Sequence, residues 1–167
     1  STGFPVYQQR AGGVLDGGLA IAVDSSGDVW SAGVSSNAAS AAYDLALWRF
    51  DPAGALRPGF PVYRGSAFAN LDEIDSGIVI AAGDKVWVAS SQLFTGCASR
   101  QQALFRFDRN GDVELQRYWH NAAEDESTGE TIALASDGGP WMLGRSSNTA
   151  AVWSYDRFGA LDAGFPR

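Results

Sequence analysis

Apolar residues along the chain fall in short alternating runs broken at near-regular intervals by Asp, Gly and Asn. LAIAVDSSGDVWSAG at Leu19–Gly33 is an apolar stretch, an Asp/Gly turn and a second stretch that carries a tryptophan. IVIAAGDKVWVASS at Ile78–Ser91 and TIALASDGGPWMLGRSS at Thr131–Ser147 repeat that layout. Each is followed by a second pair of runs around Asp-x-x-Gly: LALWRFDPAGALRPGFPVY at Leu45–Tyr63, ALFRFDRNGDVELQRYW at Ala103–Trp119, and AAVWSYDRFGALDAGFPR at Ala150–Arg167. Trp30, Trp87 and Trp141 hold the same place in each unit, 57 and 54 residues apart, so the repeat is about 55 residues long.

Each unit predicts four short β-strands. IAV, VIAA and IALA read as strands buried on both faces, and WRF, FRF and WSY as strands with one wetter face. Asp bonds its own backbone two residues on and Gly supplies positive φ, so Asp-x-x-Gly marks a tight hairpin. No stretch long enough for a helix shows helical periodicity. The expected fold is all-β, a β-propeller with four-stranded blades, three per chain. Its divisions are a stray outer strand at 1–7 and blades at 8–63, 64–119 and 120–167. A two-sheet sandwich is the competing all-β architecture, and it does not explain a threefold repeat.

LALWRFDPAGALRPGFP and AAVWSYDRFGALDAGFP, the latter with its LDxxF ending, resemble the delta-60 repeat, a propeller-forming unit of bacterial secreted and surface proteins. VDSSGDVW and AAGDKVWV are similar to the strand pair of NHL-type propeller repeats. The resemblance covers nearly the whole chain and implies a propeller fold and an extracellular or cell-surface setting. It says little about activity, because the matching residues are turn and core residues. The middle unit departs from the pattern, with ELQRYW where the others have GFP.

GFPVY stands at Gly3–Tyr7 and Gly59–Tyr63, and GFP again at Gly164–Pro166. A phrase shared by both ends is expected of a stretch cut from a continuous array. Rings of this kind hold about four to eight blades, so three cannot close one. A homodimer of six blades, or a longer parent chain, is expected to complete the circle.

Composition removes several function classes. A net charge of −7 and a pI near 4.5 argue against nucleic acid or anionic lipid as the main partner. No apolar run is long enough to span a membrane, and STGFPVYQQR lacks a signal-peptide pattern, so any targeting segment is expected to lie outside this stretch or to have been removed. A single cysteine, Cys97, excludes an internal disulfide, and a single histidine, His120, excludes a two-histidine metal or acid–base site. Neither a GxSxG elbow nor a phosphate loop is present, and the sialidase turn S-x-D-x-G-x-x-W fails because Val23 and Ser25 occupy its Ser and Asp positions.

Asp51, Asp108 and Asp156 each open an Asp-x-x-Gly turn, and this uniformity reads as folding chemistry. DRNGD at Asp108–Asp112 starts like a calcium loop but lacks the closing Glu, so a turn is expected. The opposite connections, Gln8–Gly18, Arg64–Gly77 and His120–Glu130, differ from one another, and recognition is expected there. They carry the clusters Asp72, Glu73, Asp75 and Glu124, Asp125, Glu126, Glu130. Such carboxylates suit Ca²⁺ or a cationic ligand, solvated acidic loops being the plainer reading. The three repeated tryptophans are expected to pack between blades, whereas Trp119 breaks the pattern. The expected ligand-binding set is therefore Asp72, Glu73, Asp75, Trp119, His120, Glu124, Asp125 and Glu126, with no catalytic residue. The expected role is a non-catalytic scaffold presenting its irregular face to a protein or carbohydrate. The alternative is a propeller-type hydrolase or lyase, or a lectin, with an acidic, metal-bound site near the axis built from residues such as Asp72, Asp75 and Glu126.

Overall fold

The alternation of apolar runs and Asp/Gly turns folds into hairpins throughout. The computed structural model describes residues 15–37, 42–65, 73–93, 100–119 and 127–167, with the backbone alone at 37, 42, 73–76 and 93. These residues contain eleven strands in three antiparallel sheets and no helix. Sheet I joins β1 (Asp16–Val23), β2 (Val29–Asn37), β3 (Ala42–Phe50) and β4 (Val62–Arg64) in chain order. Sheet II joins β5 (Glu73–Ala81), β6 (Lys85–Leu93), β7 (Arg100–Phe107) and β8 (Val113–Trp119), and sheet III joins β9 (Ser127–Leu134), β10 (Pro140–Ser146) and β11 (Thr149–Ser154).

The register makes the units superposable. Trp30 pairs with Arg49, Trp87 with Arg106 and Trp141 with Ser154. Sheet III lacks a named fourth strand, yet Val152 and Arg167 exchange both backbone hydrogen bonds, 2.7 and 3.0 Å, as Leu47 pairs with Val62 in sheet I. The stretch before that pairing is a turn in both, with Phe60 N–H donating to Arg57 and Phe165 N–H to Asp162. In the middle unit ELQRYW has no such turn, and β8 runs on as a longer ladder against β7.

Four turns are capped alike. Asp24, Asp51, Asp108 and Asp156 each accept, on Oδ1, the amides two and four residues on, at 2.8–3.0 Å. The glycine at the fourth turn position has φ between 80° and 87°, where a β-carbon is disfavoured. Asp108 is thus a turn residue, as DRNGD predicts.

The sheets stack through two cores. Trp30, Ala32, Leu45, Leu47 and Phe60 of sheet I meet Ile78, Val86, Val88, Ala103, Phe105 and Phe107 of sheet II. On the other face of sheet II, Trp87, Ala89 and Leu104 meet Ile132, Met142, Ala151, Trp153 and Tyr155 of sheet III. Each large apolar side chain so buried contributes about 1.5–3 kcal/mol. Trp30 and Trp87 pack between sheets as the repeat predicts, and Trp141, at the same position in sheet III, lies half-exposed on the outer face.

Two sequence expectations reverse. The first strand of sheet I is not buried on both faces: Ile21 and Val23 are 69% and 61% exposed, because no described sheet covers that side, whereas β5 packs on both faces. The third strands, expected to be wetter, are largely buried there, with Trp48, Arg49, Phe105, Phe107, Trp153, Ser154 and Tyr155 all at 7% or less and Phe50 and Arg106 partly buried. The polar residue that suggests a wet face in WRF is an arginine whose charge is met inside the stack.

Candidate functional site

That arginine belongs to a buried ionic cluster at the turn end of the joint between sheets I and II. Asp24 Oδ2 accepts from Trp30 Nε1 and from Arg49 Nη2, both at 3.0 Å. Arg49 Nη2 also lies 2.9 Å from Asp28 Oδ2, and Arg57 grips Asp28 through Nε at 2.8 Å and Nη2 at 2.6 Å. The carboxylates of Asp24 and Asp28 are almost fully buried, and two guanidiniums balance them. Burial pushes the Asp24 carboxyl up, but the bonds from Trp30 and from the Asp28 and Ser26 amides outweigh it and hold it below the ordinary 3.8. Arg57 bonding, working against burial and aided by the charge of Arg49, does the same for Asp28. Carboxylates held ionised, with their oxygens engaged by donors, serve structure rather than proton transfer.

Arg49 also reaches across the joint, Nη1 donating to the Arg109 carbonyl at 2.8 Å, and Arg106 repeats the move to the Arg157 carbonyl at 3.1 Å. Both acceptors are the residue after the capping Asp of the next sheet. Both arginines sit over their paired indoles, 4.9 and 5.1 Å from the ring centroid.

At the equivalent place between sheets II and III the cluster opens into a cleft of about 400 Å³. The register puts Ala81 where sheet I has Asp24, Lys85 where it has Asp28 and Glu114 where it has Arg57. The ion pair is therefore kept with its signs exchanged: Lys85 Nζ bonds Glu114 Oε1, and Arg106 Nε bonds Glu114 Oε2 at 3.1 Å. Asp137, Arg157 and Phe158 complete the wall from sheet III. Sequence reasoning missed this site. Its signal was the replacement of VD in VDSSGDVW by IA in IAAGDKVW, a change of polarity at a repeated position.

A second cleft, of about 380 Å³, lies at the other end of the sheets, lined by Trp119, Ser146, Ser147, Thr149, Pro166 and Arg167. Trp119 is half-buried, its ring edge-on to Trp153 at 5.4 Å between centroids. Trp153 is fully buried and its Nε1 has no hydrogen-bond partner among the described residues. Of the other predicted ligand contacts, Glu73 and Asp75 lie on β5 with only their backbone described, and Asp72, His120, Glu124, Asp125 and Glu126 lie outside the described residues. Glu130 is exposed on β9, 3.4 Å from Arg145 Nε. Among the described residues no three His, Cys, Asp or Glu side chains group as metal ligands. No family model matches the chain, and no curated protein matches it.

Proposed function

We propose that the chain is a three-blade segment of a β-propeller of the delta-60 or NHL-like kind, a non-catalytic scaffold that binds a protein or carbohydrate through its irregular loop face. The observation that carries this reading is the pair of unlike apolar faces at the two ends of the stack. The outer face of sheet III holds Trp141, Leu143, Val152 and Phe165, in the positions of Trp30, Ala32, Leu47 and Phe60, which face sheet II. Trp141 and Phe165 keep the edge-to-face contact of Trp30 and Phe60, 5.5 against 5.2 Å. The outer face of sheet I holds Ile21, equivalent to Ile78 and Ile132, with its exposed part along β1 and Trp48 buried farther across.

Each end therefore carries one half of a joint already made twice inside the chain. A second copy joining end to end gives six blades, within the four to eight of closed rings. The close approaches between first strands, β1 with β5 and β5 with β9, suit blades that fan from an axis. The resemblance supports a bacterial, extracellular or cell-surface setting.

Light scattering across a dilution series is expected to give a dimer, twice 17.7 kDa, with Ile21→Asp and Leu143→Asp each shifting it to monomer. A monomer at every concentration overturns closure by a second copy.

A further inference from the structure

Of the positions at which the two internal joints of the stack differ, one leaves donors in place without their acceptor. In the first joint Trp30 Nε1 and Arg49 Nη2 converge on one oxygen, Asp24 Oδ2, at 3.0 Å each. In the second joint the same donors are present: Trp87 and Arg106 pair in the same register, with the guanidinium over the indole as before. The carboxylate is missing because Ala81 stands in the place of Asp24. Trp87 is 1% exposed, and Ala81, in the place of Asp24, offers its Nε1 no side-chain acceptor. Arg106 uses Nε on Glu114 and Nη1 on the Arg157 carbonyl, and its Nη2 donates to no described residue. Trp87, Arg106 and Ala81 all line the 400 Å³ cleft.

We propose that this cleft is a binding site for a carboxylate group, which takes the place that Asp24 fills in the neighbouring joint. The chain supplies its own template for the complex: an indole N–H and a guanidinium N–H sharing one carboxylate oxygen in a water-poor wall. Charge-assisted bonds of this kind are stronger than neutral ones. The lining carries Lys85, Arg106 and Arg157 against Glu114 and Asp137, and Glu114 is already held by Lys85 and Arg106. The cleft thus has a basic excess in a protein of net charge −7. Phe158, 65% exposed with Arg157 stacked at 4.8 Å, forms an apolar shelf beside it that suits a carboxylate on a small apolar body. The site is independent of any closure of the stack, since both its walls lie within one chain.

The test is a titration followed by the indole N–H resonances, with Trp87→Phe identifying the relevant peak. Acetate and N-acetyl-aspartate N-methylamide are added at constant ionic strength, with sulfate as the control. Acetate should move the Trp87 resonance downfield saturably and leave that of Trp30, whose acceptor is built in. Tighter binding of the aspartate derivative than of acetate assigns the carboxylate to an acidic peptide side chain, and equal or weaker binding to a free small acid. Ala81→Asp should shift the same resonance without any additive and abolish saturation. Arg106→Lys should weaken binding about tenfold, and if that variant does not fold, Ala81→Asp decides alone. Absence of a saturable shift, an unchanged titration in Ala81→Asp, or an equal response to sulfate overturns the proposal.

Discussion

Asp24 does two jobs that its sequence context shows only in part. Asp-x-x-Gly announces the turn cap, and the chain confirms it in four places, but the second oxygen of Asp24 is spent on Trp30 and Arg49, residues that no local motif links to it. The structure makes that link because Trp30 and Arg49 are register partners on adjacent strands. Replacing Asp24 by Ala leaves Arg49 short of a partner in the interior and should cost about 3 kcal/mol, read as a lowered urea midpoint at neutral pH. The acid limb follows from the direction of the pKa displacements. Asp24 and Asp28 are held below the ordinary 3.8, so the stability they contribute is complete above that value and is lost as pH falls through their lower folded values. The wild type should lose stability steeply below about pH 4. An Asp24→Asn/Asp28→Asn variant, weaker at neutral pH, should show a flatter profile there, and equal slopes in both proteins count against this account.

Among the elements, the hairpins were legible and the burial of the strands was not. Polarity marked Arg49 and Arg106 as outward, but charge compensation and a carbonyl in the next sheet hold them in the stack. Exposure of Ile21 and Val23 was equally hidden, since it depends on whether a neighbouring sheet exists and not on the strand itself. The exchange of Asp28 and Arg57 for Lys85 and Glu114 shows that the pairing matters more than which side bears which sign. Lys85→Asp alone sets a carboxylate against Glu114 and should destabilise, while Lys85→Asp with Glu114→Arg should recover most of the loss. A double-mutant cycle should return a coupling of about 0.5–1 kcal/mol, modest because both groups are partly exposed. Additive single effects would deny the pair any role.

For the whole molecule, the chain folds into three antiparallel sheets, and the stack gives them unequal protection. Among the described residues, sheet II packs against a sheet on both faces and sheets I and III against one on a single face. Amide exchange should therefore be slowest in β6 and β7 and faster in β1 and β11, and uniform protection across the sheets would show that the outer faces are covered in solution. The candidate site was the least legible part, because a cleft made by the loss of one carboxylate appears only when two joints are superposed. The same superposition exposes a further inequality. At position 154 a serine, bonded to Asp162, replaces the arginine that fastens each sheet to the turn of the next. The stack thus has a direction, and its fastening ceases at sheet III. A joint closed on that face would rest on Trp141, Leu143 and Phe165 without a guanidinium bolt from this chain, and so would be a seam: insensitive to salt, the first to part under load, and able to re-form without re-matching a charge.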